Sequence, residues 1–202
     1  MRIEEMIAAI QKELNLDVDG KAGPQTWGAI YERLVTKKIA GQNPVEAISR
    51  VDSRSETNIA TLRPEVQAIA RALVQKAALS DIEIKIISGL RTYAEQDALY
   101  AQGRTKPGSI VTNAKGGYSN HNFGIAFDIA VFEAGKYLPR SNKYRAIGVL
   151  GTDLGLEWGG NWKTIVDLPH FQLRPAWALN INEKAMLAEL RSRQETNTPI
   201  FA

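Results

Sequence analysis

The stretch that most limits how this chain can fold is Ser119-Asn120-His121-Asn122-Phe123-Gly124-Ile125-Ala126-Phe127-Asp128, answered about forty residues on by Asp167-Leu168-Pro169-His170. The chain has 2 histidines and no cysteine, and each histidine sits in one of these stretches with a carboxylate. A closed structural zinc site takes four protein ligands, usually rich in Cys, and this chain has no cysteine to offer. Two imidazoles and one carboxylate are the ligand set of an open catalytic zinc, with water in the fourth position. On the residues alone a metal hydrolase is therefore one reading. The other leaves His121 capping a turn in an Asn-rich loop and His170 as a satisfied histidine in front of Phe171.

Local pattern bears on the choice. Gly124 to Phe132 reads as a strand, so Gly124, Ala126 and Asp128 share one face, and Ile125, Phe127 and Ile129 the other. Asp128 then lies with the small residues, beside the loop that carries His121. A buried carboxylate needs a partner or a metal.

At 202 residues the chain holds one domain of ordinary size plus a small module. No run approaches the length of a transmembrane helix. The start, Met1-Arg2-Ile3-Glu4-Glu5, lacks the basic head and apolar core of a signal peptide, so synthesis and folding in a cytoplasm are expected. Absence of cysteine fits a reducing compartment and equally a protein that later works outside one. The net charge of +3 is dispersed, without the clustered patch that nucleic-acid binding calls for. Residues 1–40 carry six basic and six acidic side chains, so that segment does not bind by bulk charge.

Taken in order, Ile3, Met6, Ile7, Ile10 and Leu14 are spaced for one face of a helix over Arg2 to Leu14. Asp19-Gly20 makes a turn, and Gly23-Pro24 opens a second helix, expected to run through Val35 with Trp27, Ile30, Tyr31 and Leu34 on one side. Thr36 to Leu62 is polar and aperiodic and reads as a linker leading into a second domain. A helix over Arg63 to Leu79 follows, striped by Val66, Ile69, Ala70, Leu73, Val74 and Ala77. Ile82 to Ser88 alternates as a strand, and Tyr93 to Gln102 is helical. Arg91, directly after the strand, is placed to reach a site or to be an ordinary surface arginine. Further on come a hairpin turn at Glu133 to Lys136, a helix over Lys143 to Leu154, and Trp158 and Trp162 around paired glycines, as core or as groove walls. A short strand at His170 to Leu173 and a helix over Glu183 to Arg193 precede a polar tail expected to fray.

Two resemblances build on these residues. Ile10-Gln11-Lys12-Glu13-Leu14 with Asp19-Gly20-Lys21-Ala22-Gly23-Pro24-Gln25-Thr26-Trp27 resembles the peptidoglycan-binding module of cell-wall hydrolases. It implies a wall-binding role for Asp19, Gly20, Gly23, Thr26 and Trp27. From Val51 to Leu173 the chain resembles the VanY-like zinc peptidases, closest to the L-alanyl-D-glutamate endopeptidases used as phage endolysins. The pieces that carry it are Ser88-Gly89-Leu90-Arg91-Thr92 with Glu95-Gln96, Leu99-Tyr100 with Gly103-Arg104, Ser119-x-His121-x-x-Gly124-x-Ala126-x-Asp128, Glu157-Trp158-Gly159-Gly160 and Asp167-x-Pro169-His170-Phe171.

That resemblance implies that His121, Asp128 and His170 bind zinc, that Asp167 is the catalytic acid/base and that Arg91 anchors or polarises the scissile peptide. Ser119, Gln96, Trp158 and Trp162 are the expected substrate contacts. The implied fold is α+β, a small antiparallel sheet with flanking helices carrying the zinc site, preceded by a small all-α module. The expected division is residues 1–40 for the module, 41–62 for the linker and 63–202 for the catalytic domain. The implied activity is hydrolysis of the L-alanyl-D-glutamate bond of peptidoglycan stem peptides. A D,D-carboxypeptidase or dipeptidase and a non-catalytic, zinc-containing wall-binding protein are the alternatives. A monomer acting on the wall after release through a holin or by lysis is expected, with neither nucleic acid nor membrane insertion. Because Pro169 restricts Leu168, Asp167 and His170 are expected at the two ends of an extended step.

Overall fold

The computed structural model describes residues 2–31 and 51–202 of the chain. It separates into two compact units, Met1–Arg50 and Val51–Ala202. Among the described residues no helix is long and apolar enough to cross a membrane.

The first unit pairs α1 (Ile3–Glu13) with α2 (Pro24–Tyr31) across the Asp19-Gly20 turn. Residues 32–35, the expected end of the second helix, lie outside the described residues. The apolar stripe read on α1 is not what the unit buries: Ile3, Met6 and Ile10 are each more than 40% exposed. Gln11 is buried in their stead. Its carboxamide oxygen accepts from the backbone N–H groups of Asp19 (3.1 Å) and Gly20 (2.9 Å). Its nitrogen lies 2.7 Å from Asp19 Oδ1, 3.0 Å from Lys21 O and 3.0 Å from Thr26 Oγ1. A polar hub orders the turn because the N–H groups of Asp19 and Gly20 and the carbonyl of Lys21 all find partners on one side chain.

The second unit begins earlier than the sequence pattern suggests. Residues 53–59 form α3 (Ser53–Ile59), started by Asp52, whose carboxylate accepts from Ser55 N at 3.1 Å. Ile59 and Leu62 are in the core, so this part of the expected linker belongs to the fold. Polarity hides it, because α3 docks through hydrogen bonds: Ile86 N donates to Ser55 Oγ (2.9 Å) and Asn58 Nδ2 donates to Ile86 O (2.9 Å). The helix α4 (Pro64–Leu79) follows, with proline in its first turn and Val66, Ala70, Leu73 and Ala77 buried.

The sheet comprises β1 (Glu83–Ser88), β2 (Ala126–Glu133), β3 (Lys136–Tyr137), β4 (Glu157–Trp158) and β5 (His170–Gln172), all antiparallel. Its order is β1-β2-β5-β4, with β3 hairpinned onto β2. With α5 (Tyr93–Ala101), α6 (Lys143–Asp153) and α7 (Glu183–Glu195) it makes the expected α+β arrangement. The central strand β2 is covered on both faces, so Ala126, Phe127, Ile129, Ala130 and Val131 are all buried. Phe127, Ile129 and Val131 join the main core under α4 and α6.

Phe123 and Ile125 point into a second cluster with Met186, Leu187 and Leu190 of α7 and with Ile200. The polar tail therefore does not fray. Trp177 Nε1 donates to Ile200 O (2.8 Å), and Arg193 Nη1 donates to Pro199 O and Ala202 O (both 2.8 Å). The apolar anchor Ile200 and these bonds outweigh the polarity that suggested fraying. Their effect is to buttress the turn that carries His121.

Candidate metal centre

The site is assembled where β2 meets its neighbours. Asp128 on β2 is the cross-strand partner of His170 on β5 and of Ser88 on β1. Cross-strand partners on one face stand about 5 Å apart, close enough for imidazole and carboxylate to meet. The third group comes from a short 3-10 turn, Asn120–Phe123, ended by Gly124 in the left-handed region (φ 69°). A side chain at that φ is strained, which is what glycine avoids there. Arg91 N donates to His121 O (3.0 Å), tying the turn to the end of β1.

Each imidazole is held from behind. His121 Nδ1 faces Gly89 O at 2.8 Å, leaving Nε2 3.3 Å from Asp128 Oδ1. Only glycine fits at position 89, since a Cβ there would lie 2.5 Å from Asn58 O and 2.4 Å from Thr61 Oγ1. His170 Nε2 faces Gln172 Oε1 at 3.0 Å, leaving Nδ1 3.2 Å from the same Asp128 oxygen. One ligand atom from each of the three residues lies within 4.8 Å of the others. Tetrahedral ligands about 2.0–2.1 Å from zinc sit roughly 3.3 Å apart, so the two carboxylate–imidazole spacings suit that ion. The donor set, two nitrogens and one oxygen on a buried face, fits zinc with a position left open.

Charge is arranged around Asp128 and Asp167 in opposite senses. Burial by itself would raise the Asp128 carboxyl, but the two imidazoles facing it outweigh burial and hold it well below the usual carboxylate range. Arg91 Nη2 adds a contact at 3.3 Å to its other oxygen. Burial pushes the Asp167 carboxyl up, and the negative charge of Asp128 pushes it further. Two carboxylates whose environments drive them apart suit different roles, one ionised and one able to exchange a proton.

Asp167 is not at the end of an extended step. His170 N donates to Asp167 O at 3.3 Å, closing a turn, and Asp167 N donates to Gly159 O at 3.0 Å. Trp158 Nε1 donates to the Leu168 carbonyl inside that turn at 2.8 Å. Asp167, His121, Asp128 and His170 all line one cavity of about 1200 Å³.

Of the other expected site residues, Arg91, Ser119, Trp158 and Trp162 also line the cavity. Trp162 stands over the His170 ring, centroids 4.9 Å apart. Trp158 is mostly core, stacked 6.5 Å from Phe171. Gln96 is fully buried and works behind the wall: its oxygen accepts from Arg91 Nη1 (2.9 Å) and its nitrogen donates to Ala114 O (2.8 Å). It supports the arginine and the loop at 112–114 and does not line the cavity. In the first unit Asp19, Gly20 and Thr26 gather around Gln11, while Trp27 is 60% exposed. Gly23 lies beside them, and its carbonyl accepts from Trp27 N (3.0 Å).

Sequence reading missed the polar residues packed beside His170: Asn120, Gln172, Glu157, Arg174 and Glu183. One signal was available. Gln172 is two residues beyond His170 in a strand, and residues so spaced share a face.

Comparison with known proteins places the chain. It is 41% identical over 125 residues to the peptidoglycan L-alanyl-D-glutamate endopeptidase CwlK of Bacillus subtilis (strain 168), covering 56% of this chain and 74% of that protein. The chain belongs to the L-alanyl-D-glutamate endopeptidase family. A second relative in this family, the L-alanyl-D-glutamate peptidase of Listeria phage A118, is 32% identical over 124 residues; the match spans 59% of this chain and 41% of the phage protein. The family described as D-alanyl-D-alanine carboxypeptidase matches residues 112–173, the stretch holding all three candidate ligands. The crystal structure of the Serratia marcescens L-Ala D-Glu endopeptidase ChiX is similar, with a TM-score of 0.49 and 29% identity, over 65% of this chain and 94% of that one.

Proposed function

We propose that the protein is a zinc peptidase of the bacterial cell wall, cleaving the bond between L-alanine and D-glutamate in peptidoglycan stem peptides. The observation that carries this reading is the convergence of His121 Nε2 and His170 Nδ1 on one oxygen of Asp128, at 3.3 and 3.2 Å, within a cavity that Asp167 also lines. Zinc held by His121, Asp128 and His170 would supply Lewis-acid polarisation of the scissile carbonyl and make water more acidic.

The remaining chemistry belongs to side chains. Asp167 takes the proton of the attacking water and returns it to the leaving amine, a role typically worth about 10²–10⁴-fold. Its raised proton affinity, from burial and from Asp128, suits both halves of that exchange. Arg91 stabilises the oxyanion as it forms. Its contacts to Gln96, Ser88 and Asp128 engage three of five N–H donors and fix the guanidinium, so that others remain for substrate. Ser119 and Trp162 line the cavity as substrate contacts.

The Gln11-centred unit, with Asp19, Gly20, Gly23, Thr26 and Trp27, is the wall-targeting part. The exposed Trp27 is its natural contact surface. On this reading the protein works as a monomer on peptidoglycan, without nucleic acid or membrane insertion, and reaches the wall through a holin or on lysis.

The deciding experiment is mass analysis of digested peptidoglycan. New amino termini on glutamate are expected, and chelation by EDTA should stop their release until zinc is added back. The match of residues 112–173 to carboxypeptidases favours one second reading, D,D-carboxypeptidase activity. Free D-alanine without new glutamate termini would establish that activity instead. Deleting residues 1–40 should weaken sedimentation with intact peptidoglycan and spare hydrolysis of a small soluble muropeptide.

A further inference from the structure

Behind His170 lies a closed ring of polar side chains. Gln172 Nε2 donates to Glu157 Oε2 (2.6 Å), and Arg174 Nε donates to the other oxygen of Glu157. Arg174 Nη2 donates to Glu183 Oε2 (2.7 Å), Glu183 Oε1 accepts from Asn120 Nδ2, and Asn120 Nδ2 donates back to Gln172 Oε1 (2.6 Å). An ionised carboxylate only accepts, so Glu157 dictates which end of the Gln172 amide faces it. The nitrogen turns to Glu157 and the oxygen must turn to His170. An amide oxygen only accepts, so the ring nitrogen it meets, His170 Nε2, must carry a proton.

His121 is under the opposite constraint. Gly89 O, also an acceptor only, lies 2.8 Å from Nδ1 and holds the proton there. Hence Nε2 of His121 and Nδ1 of His170 are the nitrogens left facing Asp128, at 3.3 and 3.2 Å. Two histidines in one site present opposite ring atoms.

We infer that Gln172 is the positioning residue for His170. Locked by the Glu157–Arg174–Glu183–Asn120 ring, it keeps the His170 proton on Nε2 and reserves Nδ1 for the metal. The inference rests on the zinc-site reading above and adds the residue that decides how one of its ligands is presented. Partners of this kind, when removed, typically cost 10–100-fold in metal affinity.

The test uses full-length protein loaded with zinc and labelled with ¹⁵N-histidine. With 2 histidines in the chain, the long-range ¹H–¹⁵N spectrum contains two imidazoles and is readily assigned. His170 should show a protonated Nε2 and a metal-shifted Nδ1, and His121 the reverse. In Gln172→Met the zinc dissociation constant, measured against a competing chelator, should rise about 10–100-fold. The His170 pattern should change while that of His121 stays. Combining Gln172→Glu with Glu157→Gln exchanges amide and carboxylate, so every donor still meets an acceptor, and should restore most of the lost affinity. A wild-type spectrum with His170 metallated through Nε2, or a Gln172→Met variant with unaltered zinc affinity, overturns this inference alone. A wild-type protein that takes up no zinc overturns the proposed function with it. The wild-type spectrum needs no variant, so misfolding of Gln172→Met would not shelter the idea.

Discussion

The two units of this chain solve the same problem with different materials. The first is ordered around the carboxamide of Gln11, with Ile3, Met6, Ile10 and Trp27 left largely exposed. The second buries a contiguous apolar core beneath its sheet and confines polar side chains to one wall, where they form the site. A hydrogen bond contributes about 1 kcal/mol net, whereas an unpartnered buried polar group costs about 1–3 kcal/mol. A hub such as Gln11 therefore specifies a turn more than it stabilises one. An apolar core stabilises in proportion to the area it removes from water. The second unit can consequently carry the costs of a buried, charged site.

The largest expected effect comes from opening the core of the second unit. Phe171 is fully buried and stacked 5.8 Å from Phe127. Phe171→Ala should cost about 3–5 kcal/mol in urea unfolding of the full chain. It should also loosen zinc, because His170 is its neighbour on β5. A loss under about 1 kcal/mol would mean that the core is not what holds this unit.

Asp167→Asn asks whether the site, unlike the hub, is dispensable for folding. Turnover should fall by roughly 10²-fold or more with zinc retained. Stability should hold or rise slightly near neutral pH, because the substitution removes a carboxylate held above its ordinary pKa by burial and by Asp128. Loss of zinc on substitution would make Asp167 a ligand, and near-normal turnover would put the base elsewhere.

Tyr144 gives the core a pH signature. Its side chain is fully buried, and burial pushes the phenol up to about 12 from an ordinary 10. The folded state holds the proton more tightly than the unfolded one, so this contribution is complete below pH 10 and is lost as pH rises toward 12. Alkaline destabilisation should appear in that window and be reduced in Tyr144→Phe. An unchanged alkaline limb in the variant would assign the effect to another group.

The smallest effect should come from the hub. Gln11→Ala should raise amide hydrogen exchange at Asp19 and Gly20 by the loss of about 1–3 kcal/mol of local protection. Hydrolysis of a soluble muropeptide should be untouched. If that hydrolysis falls as far as wall binding does, the two units are not independent and the contrast drawn between them fails.

Periodicity and composition made much of the second unit legible. The stripe of α4, the alternation of β1 and the run that becomes β2 are local patterns, set by one face needing burial. The residues alone left the candidate metal group open between two readings, and it was the resemblance that singled out His121, Asp128 and His170, which the fold brings together. Elements that dock through hydrogen bonds escaped that reading. α3 looked like linker because Ser55 and Asn58, its contacts to Ile86, are as polar as any loop. The α1 stripe misled in the other direction, since an amphipathic pattern states what could be buried and not what meets it.

By itself, then, the amino-acid order determined which residues could bind a metal, which strand would hold Asp128 and which helices would have an apolar face. These follow from side-chain chemistry and from backbone periods that span only a few residues. The tertiary structure alone decided that Gly89 stands behind His121, that Glu157 and Asn120 turn the Gln172 amide toward His170, that Asp167 turns into the cavity, and that Ile200 seats the tail beneath the His121 turn. Those pairings join residues distant in the chain or bent together by a turn. A hydrogen bond depends on where two atoms end up in space, which no repeat along the chain records.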